Sequence, residues 1–400
     1  LYETNGDKLT EKAIIVGIKI YPVTDFEFEE SLAELKSLVT SAGGQVVGSV
    51  TQTRNRIDPS YYIGKGKVTE IKRQVESQDA NLIVFDEQLS PAQVRNLEKQ
   101  LDVKVIDRGV LILDIFSKRA RSTEARVQVE MAQLEYMLPR LTRQWSHLSK
   151  HVGGIGTRGP GETQLETDRR LTRKRISNLS ARLRKIDTER SEQRKRRDDM
   201  FNVCLVGYTN AGKSTLFNAL TNEGVWAENM LFCTLDSTSR SLHIGNGNRV
   251  IFTDTVGFIR KLPHSLVASF RATLNEVRYA DVLVHVVDFS HPDYVRRISQ
   301  VNEILTEIDA IGIRRILVFN KIDLSREAYL HFGQVEVPES DKFFVSATQG
   351  IGLEHLVKRI AELADNSRDK RLSPGKTNGQ KSGTYSRRQS KHVGPPSRDA

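Results

Sequence analysis

The stretch Gly207-Tyr208-Thr209-Asn210-Ala211-Gly212-Lys213-Ser214-Thr215 decides how the rest of the chain is read. It matches the phosphate-binding pattern G-x-x-x-x-G-K-[ST]. The apolar run Val203-Cys204-Leu205-Val206 before it reads as a buried strand, and Leu216-Phe217-Asn218-Ala219-Leu220 after it opens a helix. In that strand–loop–helix setting the pattern has a mechanism. Gly207 and Gly212 let the backbone wrap close to a phosphate, and the loop N–H groups with the helix N-terminus favour an anion. Tyr208, Thr209, Asn210, Ala211 and Thr215 complete the set of candidate contacts; Lys213 would reach the β- and γ-phosphates and Ser214 would hold Mg²⁺.

Partners for this loop follow at strand ends. Val250-Ile251-Phe252 leads into Asp254-Thr255-Val256-Gly257. An Asp at this place holds Mg²⁺, usually through water, and the Gly257 N–H can reach the γ-phosphate and sense its loss. Between the two motifs lies Phe232-Cys233-Thr234-Leu235-Asp236-Ser237-Thr238. Thr234 is expected to complete the Mg²⁺ shell, with Thr238 in reserve and Phe232 as a further nucleotide contact. The strand Ile316-Leu317-Val318-Phe319 ends in Asn320-Lys321-Ile322-Asp323. The Asp323 carboxylate can accept from guanine's ring N–H and its exocyclic amine, whereas adenine would leave it unpaired. Asn320 is expected to tie the base loop to the phosphate loop, and Lys321 to stack along the purine. Ser346 and Ala347 supply the last loop, with the Ala347 N–H facing guanine's carbonyl oxygen. Together these motifs specify GTP.

Ras-like proteins carry a Gln just after Asp-x-x-Gly to orient the attacking water. Here that residue is Phe258, so slow intrinsic turnover is expected. The candidate catalytic set is Lys213, Thr234, Gly257 and Asn210. Asn210 either braces the loop or holds K⁺ near the phosphates, as an Asn at this place helps to do in several related GTPases, and a cation there would stabilise developing charge.

Outward from this domain, residues 13–108 alternate strand-like and helix-like stretches, as in a small domain with a mostly parallel sheet. Within it, Tyr62-Ile63-Gly64-Lys65-Gly66-Lys67 is either an anion-holding loop or a turn before a helix. Residues 110–150 form one long helical pattern with Val127, Met131, Leu134, Leu138, Leu141, Trp145 and Leu148 at heptad spacing, interrupted by Pro139. Leu165, Thr172, Ile176, Leu179, Leu183 and Ile186 continue such a seam beyond a Gly-rich stretch. The two seams predict an antiparallel hairpin with arms of roughly 30 Å. The expected architecture is α/β. It comprises an N-terminal α/β domain over 1–110, a long antiparallel helical hairpin over 111–200 with its tip at 153–161, a Ras-like P-loop domain over 201–365 and a disordered basic tail over 366–400.

The net charge of +10 is uneven. Residues 169–197 hold 13 Lys/Arg against three Asp/Glu, and residues 366–400 hold nine against two. Both segments can neutralise nucleic-acid phosphates. No apolar run approaches the ~20 residues that span a bilayer, and the first residues carry no secretory pattern. Two cysteines give no disulfide framework. A cytoplasmic location is expected, with a peripheral membrane contact left open.

The chain resembles the HflX family of translation-factor-related GTPases. The likeness rests on 207–218, Thr234-Leu235-Asp236, Asp254-Thr255-Val256-Gly257-Phe258-Ile259 and Leu262-Pro263-His264. It extends to 62–67, to Glu130-Met131-Ala132-Gln133-Leu134 and to 159–168, and covers roughly residues 13–365. The resemblance implies binding to the 50S large ribosomal subunit, GTP hydrolysis stimulated by ribosomes, and splitting of stalled or idle ribosomes. The hairpin and the basic residues 169–197 would then meet 23S rRNA near the peptidyl-transferase centre, and the protein would act as a monomer. The alternative is a large-subunit assembly GTPase that binds rRNA in precursor particles.

Overall fold

Two mostly parallel sheets are built around central strands that read as continuous apolar runs, as expected for strands covered on both faces. The computed structural model describes residues 11–141, 160–195, 200–221, 231–232, 234–245, 248–261, 276–324 and 341–372. In the N-terminal domain the elements are β1 (Lys12–Ile20), α1 (Asp25–Ser41), β2 (Gln45–Arg54), α2 (Lys65–Gln78), β3 (Leu82–Phe85), α3 (Pro91–Leu101) and β4 (Lys104–Asp107). The strands pair in parallel in the order β2-β1-β3-β4. Local chemistry sets the helix starts. Thr24 with Glu27, and Ser90 with Gln93, form reciprocal capping boxes, and Pro91 stands at the first turn of α3 where its missing N–H costs nothing.

The helical region departs from the expected single pattern over 110–150. The chain breaks at 120–122, giving α4 (Arg108–Arg119) and α5 (Thr123–Met137). Ser122 caps α5 by accepting from the Ala125 N–H at 3.0 Å. Apolar spacing runs on through the break, so the period alone could not place it. Leu111, Ile112, Ile115 and Phe116 of α4 are buried in the same cluster as Ile15 and Leu35, so α4 belongs to the N-terminal domain. The hairpin is formed by α5 and α6 (Pro160–Lys195). Pro139 lies just past the end of α5, capped at Leu138. The second arm has 36 residues, about 54 Å at ~1.5 Å per residue, longer than expected because it starts at Pro160 inside the expected tip. Val127 and Leu179 are buried in the seam, and Arg175 pairs with Glu130 at 2.7 Å across it. Trp145, Leu148 and residues 153–159 of the tip lie outside the described residues.

The third unit contains β5 (Phe201–Gly207), α7 (Lys213–Thr221), β6 (Thr238–Ile244), β7 (Asn248–Asp254), β8 (Val282–Asp288), α8 (Tyr294–Glu307), β9 (Arg315–Asn320), β10 (Lys342–Phe344) and α9 (Leu353–Leu372). Its sheet order is β10-β9-β8-β5-β7-β6, parallel except for β6 against β7. The tail boundary expected at 366 is corrected: α9 continues to Leu372, held by Leu356, Ile360, Leu363 and Ala364 in the core. Residues 373–400 lie outside the described residues.

Candidate nucleotide site

The strand order reverses beside β5, and the phosphate loop leaves its carboxyl end, the place where open α/β sheets take ligands. Gly212 has φ +89, and a Cβ there would lie 2.2 Å from Asn320 Nδ2, so no other residue fits. Gly257 is packed as tightly: a Cβ would meet the Thr209 Cα at 2.8 Å and the Lys213 Nζ at 2.9 Å. Backbone bonds reinforce this contact, with the Thr209 N–H donating to the Phe258 carbonyl at 2.7 Å and the Phe258 N–H to the Gly207 carbonyl at 3.1 Å. Lys213 is buried and its Nζ donates to the carbonyls of Tyr208 at 2.8 Å and Gly207 at 3.2 Å. Thr215 lies in the first turn of α7. Asn210 is exposed at the loop apex with φ +61.

Three oxygen donors converge below the loop. Ser214 Oγ donates to Asp254 Oδ2 at 2.6 Å, Thr234 Oγ1 donates to the same oxygen at 3.0 Å, and the two hydroxyls lie 2.6 Å apart. Asp254 is buried, and burial raises its pKa against the opposing hydrogen bond from Ser214 and the charge of Lys213. Its other oxygen, Oδ1, and the neighbouring Thr209 Oγ1 are buried without a hydrogen-bond partner. Hard oxygen donors around a buried carboxylate with unused acceptor capacity fit Mg²⁺. Thr238, the reserve choice, instead begins β6 and pairs with Asp254 in the ladder.

At the other end, Asn320 joins two loops. Its Nδ2 donates to the Ala211 carbonyl at 3.0 Å, and its Oδ1 accepts the Ala347 N–H at 3.0 Å. The Ala347 N–H is thus directed to Asn320, not outward to guanine's carbonyl as the sequence suggested. Ser346 is buried and accepts the Gln349 N–H at 3.2 Å, which shapes the turn. Lys321 has φ +66 and pairs with Asp288 at 2.7 Å, and Asp323 is exposed in a short 3₁₀ turn, Ile322–Leu324.

Two expected nucleotide contacts turn elsewhere. Phe232 is buried edge-on against Phe116 of α4, with ring centroids 4.7 Å apart, because an aromatic ring next to an apolar helix gains more by burial than by exposure. The Tyr208 hydroxyl donates to Glu34 of α1 at 2.7 Å and accepts the Arg260 N–H at 2.9 Å, while Arg297 stacks 4.8 Å from its ring centroid. Only the Tyr208 backbone remains at the phosphate loop. Phe258 packs among Cys204, Val206 and Val301 in the core and offers nothing to a water.

Sequence reading missed how closely the two sheet domains join. Leu231, Phe232, Leu235, Val256 and Ile259 share one apolar cluster with the N-terminal domain. Around it, Lys261 pairs with Asp86 and Glu87, Arg260 with Glu30, and Arg296 with Glu27. Acidic spacing along α1 (Glu27, Glu30, Glu34) was the available signal.

Family models described as the GTP-binding GTPase N-terminal region, the GTP-binding GTPase middle region and a 50S ribosome-binding GTPase match residues 29–117, 119–197 and 202–321. The GTPase HflX of Caldanaerobacter subterraneus subsp. tengcongensis is 49% identical over 354 residues, covering 88% of this chain and 80% of that protein. The GTPase HflX of Escherichia coli K12 is 46% identical, with coverage of 88% and 82%. Among solved structures, the complex of SsGBP with GDP aligns with a TM-score of 0.51 at 25% identity, covering 89% of this chain and 99% of that one. With these matches laid over a phosphate loop, an Asp-x-x-Gly segment and an Asn-Lys-x-Asp loop, each at the carboxyl end of a strand of one sheet, the chain belongs to the HflX family of GTPases.

Proposed function

We propose that this GTPase works on the 50S ribosomal subunit in the cytoplasm and separates stalled or idle ribosomes, with Ser214, Thr234 and Asp254 as its Mg²⁺ ligands. The observation that carries the nucleotide part is the meeting of the Thr234, Ser214 and Asp254 oxygens within 3.0 Å of one another. Thr234 lies on the segment between the phosphate loop and Asp-x-x-Gly, so its hold on that cluster would order the segment when GTP is bound. Mg²⁺ bound there would offset negative charge on the phosphates. Lys213 would exchange its two carbonyl partners for phosphate oxygens, the Gly257 N–H would meet the γ-phosphate, and Asp323 would read guanine. Asn210 stands at the loop apex, where it would help to hold K⁺.

The ribosomal part rests on the family and on α6. Arg173, Lys174, Arg182, Arg184 and Lys185 are exposed along its outer face. Such a face suits an RNA backbone and binds it in a salt-dependent way.

The test is the rate of GTP hydrolysis with and without purified 50S subunits, in K⁺ and again in Na⁺. We expect a large rise with 50S and a higher rate in K⁺. Sedimentation of 70S ribosomes after addition of protein and GTP then reads splitting directly. Absence of any 50S response sinks the ribosomal reading. A response to precursor particles without 70S dissociation favours the assembly role instead.

A further inference from the structure

The segment Thr234-Leu235-Asp236 is held at three consecutive residues. Thr234 is on the Ser214–Asp254 cluster. Leu235, 2% exposed, is in the apolar cluster shared with Phe116 and Ile259. The Asp236 carboxylate reaches the break between α4 and α5. There its Oδ2 accepts the N–H groups of Arg121 at 2.9 Å and Ser122 at 3.0 Å, and its Oδ1 accepts the Ser122 hydroxyl. That same hydroxyl accepts the Ala125 N–H, so Asp236 and the first turn of α5 form one hydrogen-bonded chain.

The hairpin is fixed to the same place from its second arm. Arg190 of α6 pairs with Glu124 in the first turn of α5 at 2.7 Å. Arg190 also approaches Glu276, in the helical stretch 276–278, at 3.7 Å. Ser122, Glu124, Arg190, Asp236 and Ser237 line one small polar cleft. Any swing of the hairpin at its base therefore acts on Asp236. Two residues cannot span more than about 7 Å, so a shift of Asp236 leaves little slack before it moves Thr234.

We infer that Asp236 is a positioning residue that ties the base of the helical hairpin to Thr234, so that hairpin position and the Mg²⁺–GTP site are set together. This rests on the reading that Thr234 holds Mg²⁺ in the GTP state. A carboxylate that accepts three donors makes charge-assisted bonds, roughly twice as strong as neutral ones, which suits a link that must carry a displacement.

The experiment compares D236A, D236N, S122A and T234A in the full chain. It measures affinity for Mg²⁺·GMPPNP and for GDP, kcat and KM for GTP, and melting temperature with GDP bound. D236A should lose about tenfold in GMPPNP affinity and a similar factor in kcat, with GDP affinity nearly unchanged, because Thr234 serves only the γ-phosphate state. S122A, which keeps the carboxylate, should move the same way by about threefold, and the D236A/S122A double variant should be no worse than D236A. D236N, which retains an acceptor, should recover part of the loss. Equal losses for GDP and GMPPNP with a lower melting temperature would show a merely structural role and overturn the inference. So would normal GMPPNP binding in D236A and S122A while T234A loses it. If T234A itself binds Mg²⁺·GMPPNP normally, the Mg²⁺ role of Thr234 fails, and the inference fails with it. Should D236A not fold, S122A and D236N carry the same comparison.

Discussion

The two sheet domains share one topological feature, a reversal of strand order, and use it oppositely. In each, the strand order reverses, beside β1 in the first and beside β5 in the second, which opens a crevice at the strands' carboxyl ends. In the second domain that crevice is walled by glycines and buried polar atoms with spare capacity, Thr209 Oγ1 and Asp254 Oδ1. In the first it is filled by protein. Asp86, just past β3, pairs with the buried Arg108 at 3.2 Å, accepts the Ser31 hydroxyl at 2.7 Å, and receives Lys261 from the other domain. Arg108 also holds Glu34 at 3.2 Å. One crevice is lined to take the nucleotide's phosphates; the other is acidic and takes the lysine that follows Asp-x-x-Gly. The lesson is that topology supplies the opening, while the residue types at the strand ends decide whether a ligand or a neighbouring side chain enters it.

The sharpest way to break this contrast is at the base loop. D323N should cut the preference for GTP over ATP by roughly 10⁴, since it replaces one of the two carboxylate acceptors by an N–H donor that faces a guanine N–H. Competition binding reads this, and an unaltered preference would remove Asp323 from the site. The filled crevice is tested by R108A. It takes the buried guanidinium away from Asp86 and Glu34, leaving Asp86 with Lys261 and the Ser31 hydroxyl and Glu34 with the Tyr208 hydroxyl, and should cost about 3 kcal/mol in denaturant unfolding. A loss below about 1 kcal/mol would mean that the buried ion cluster is not what closes this crevice.

The smallest effect concerns the open crevice without its ligands. Burial raises the Asp254 pKa, so the native state binds its proton more tightly than the unfolded chain does. The resulting penalty is present in full at neutral pH, shrinks as pH falls through the raised native pKa, and is gone below the ordinary aspartate value. Nucleotide-free D254N should therefore be slightly more stable than the parent at pH 7, with the gain shrinking toward pH 4, while Mg²⁺-dependent hydrolysis is lost. Thermal melts across that range check the sign.

Much of the open crevice was legible because its chemistry is local. Gly212, Lys213 and Ser214 lie in one loop, and Asp254 and Asn320 each terminate an apolar run that reads as a strand. The helix starts at Thr24 and Ser90 follow from side chains three residues apart. The filled crevice was illegible for the converse reason. Tyr208 and Glu34 are 174 positions apart, and Lys261 and Asp86 are 175 apart, with no local pattern to join them. Phe232 and Tyr208 lie beside Thr234 and in the phosphate-loop pattern, which made them candidates for the nucleotide. Their side chains leave for the other domain because an apolar cluster and a carboxylate wait there. The break at 120–122 was hidden since Asp236, which receives its backbone N–H groups, lies more than a hundred residues away.

The shared apolar cluster also sets where this chain can be cut. Position 200 is a boundary along the sequence, but Leu231, Phe232, Leu235, Val256 and Ile259 do not respect it. A fragment starting there would keep every phosphate-loop residue yet present those side chains to water, with Tyr208 and Arg260 stripped of their carboxylates. For anyone shortening the protein into a portable GTP-binding module, the smallest self-sufficient piece includes the first sheet, and any activity measured on the shorter fragment describes a different molecule.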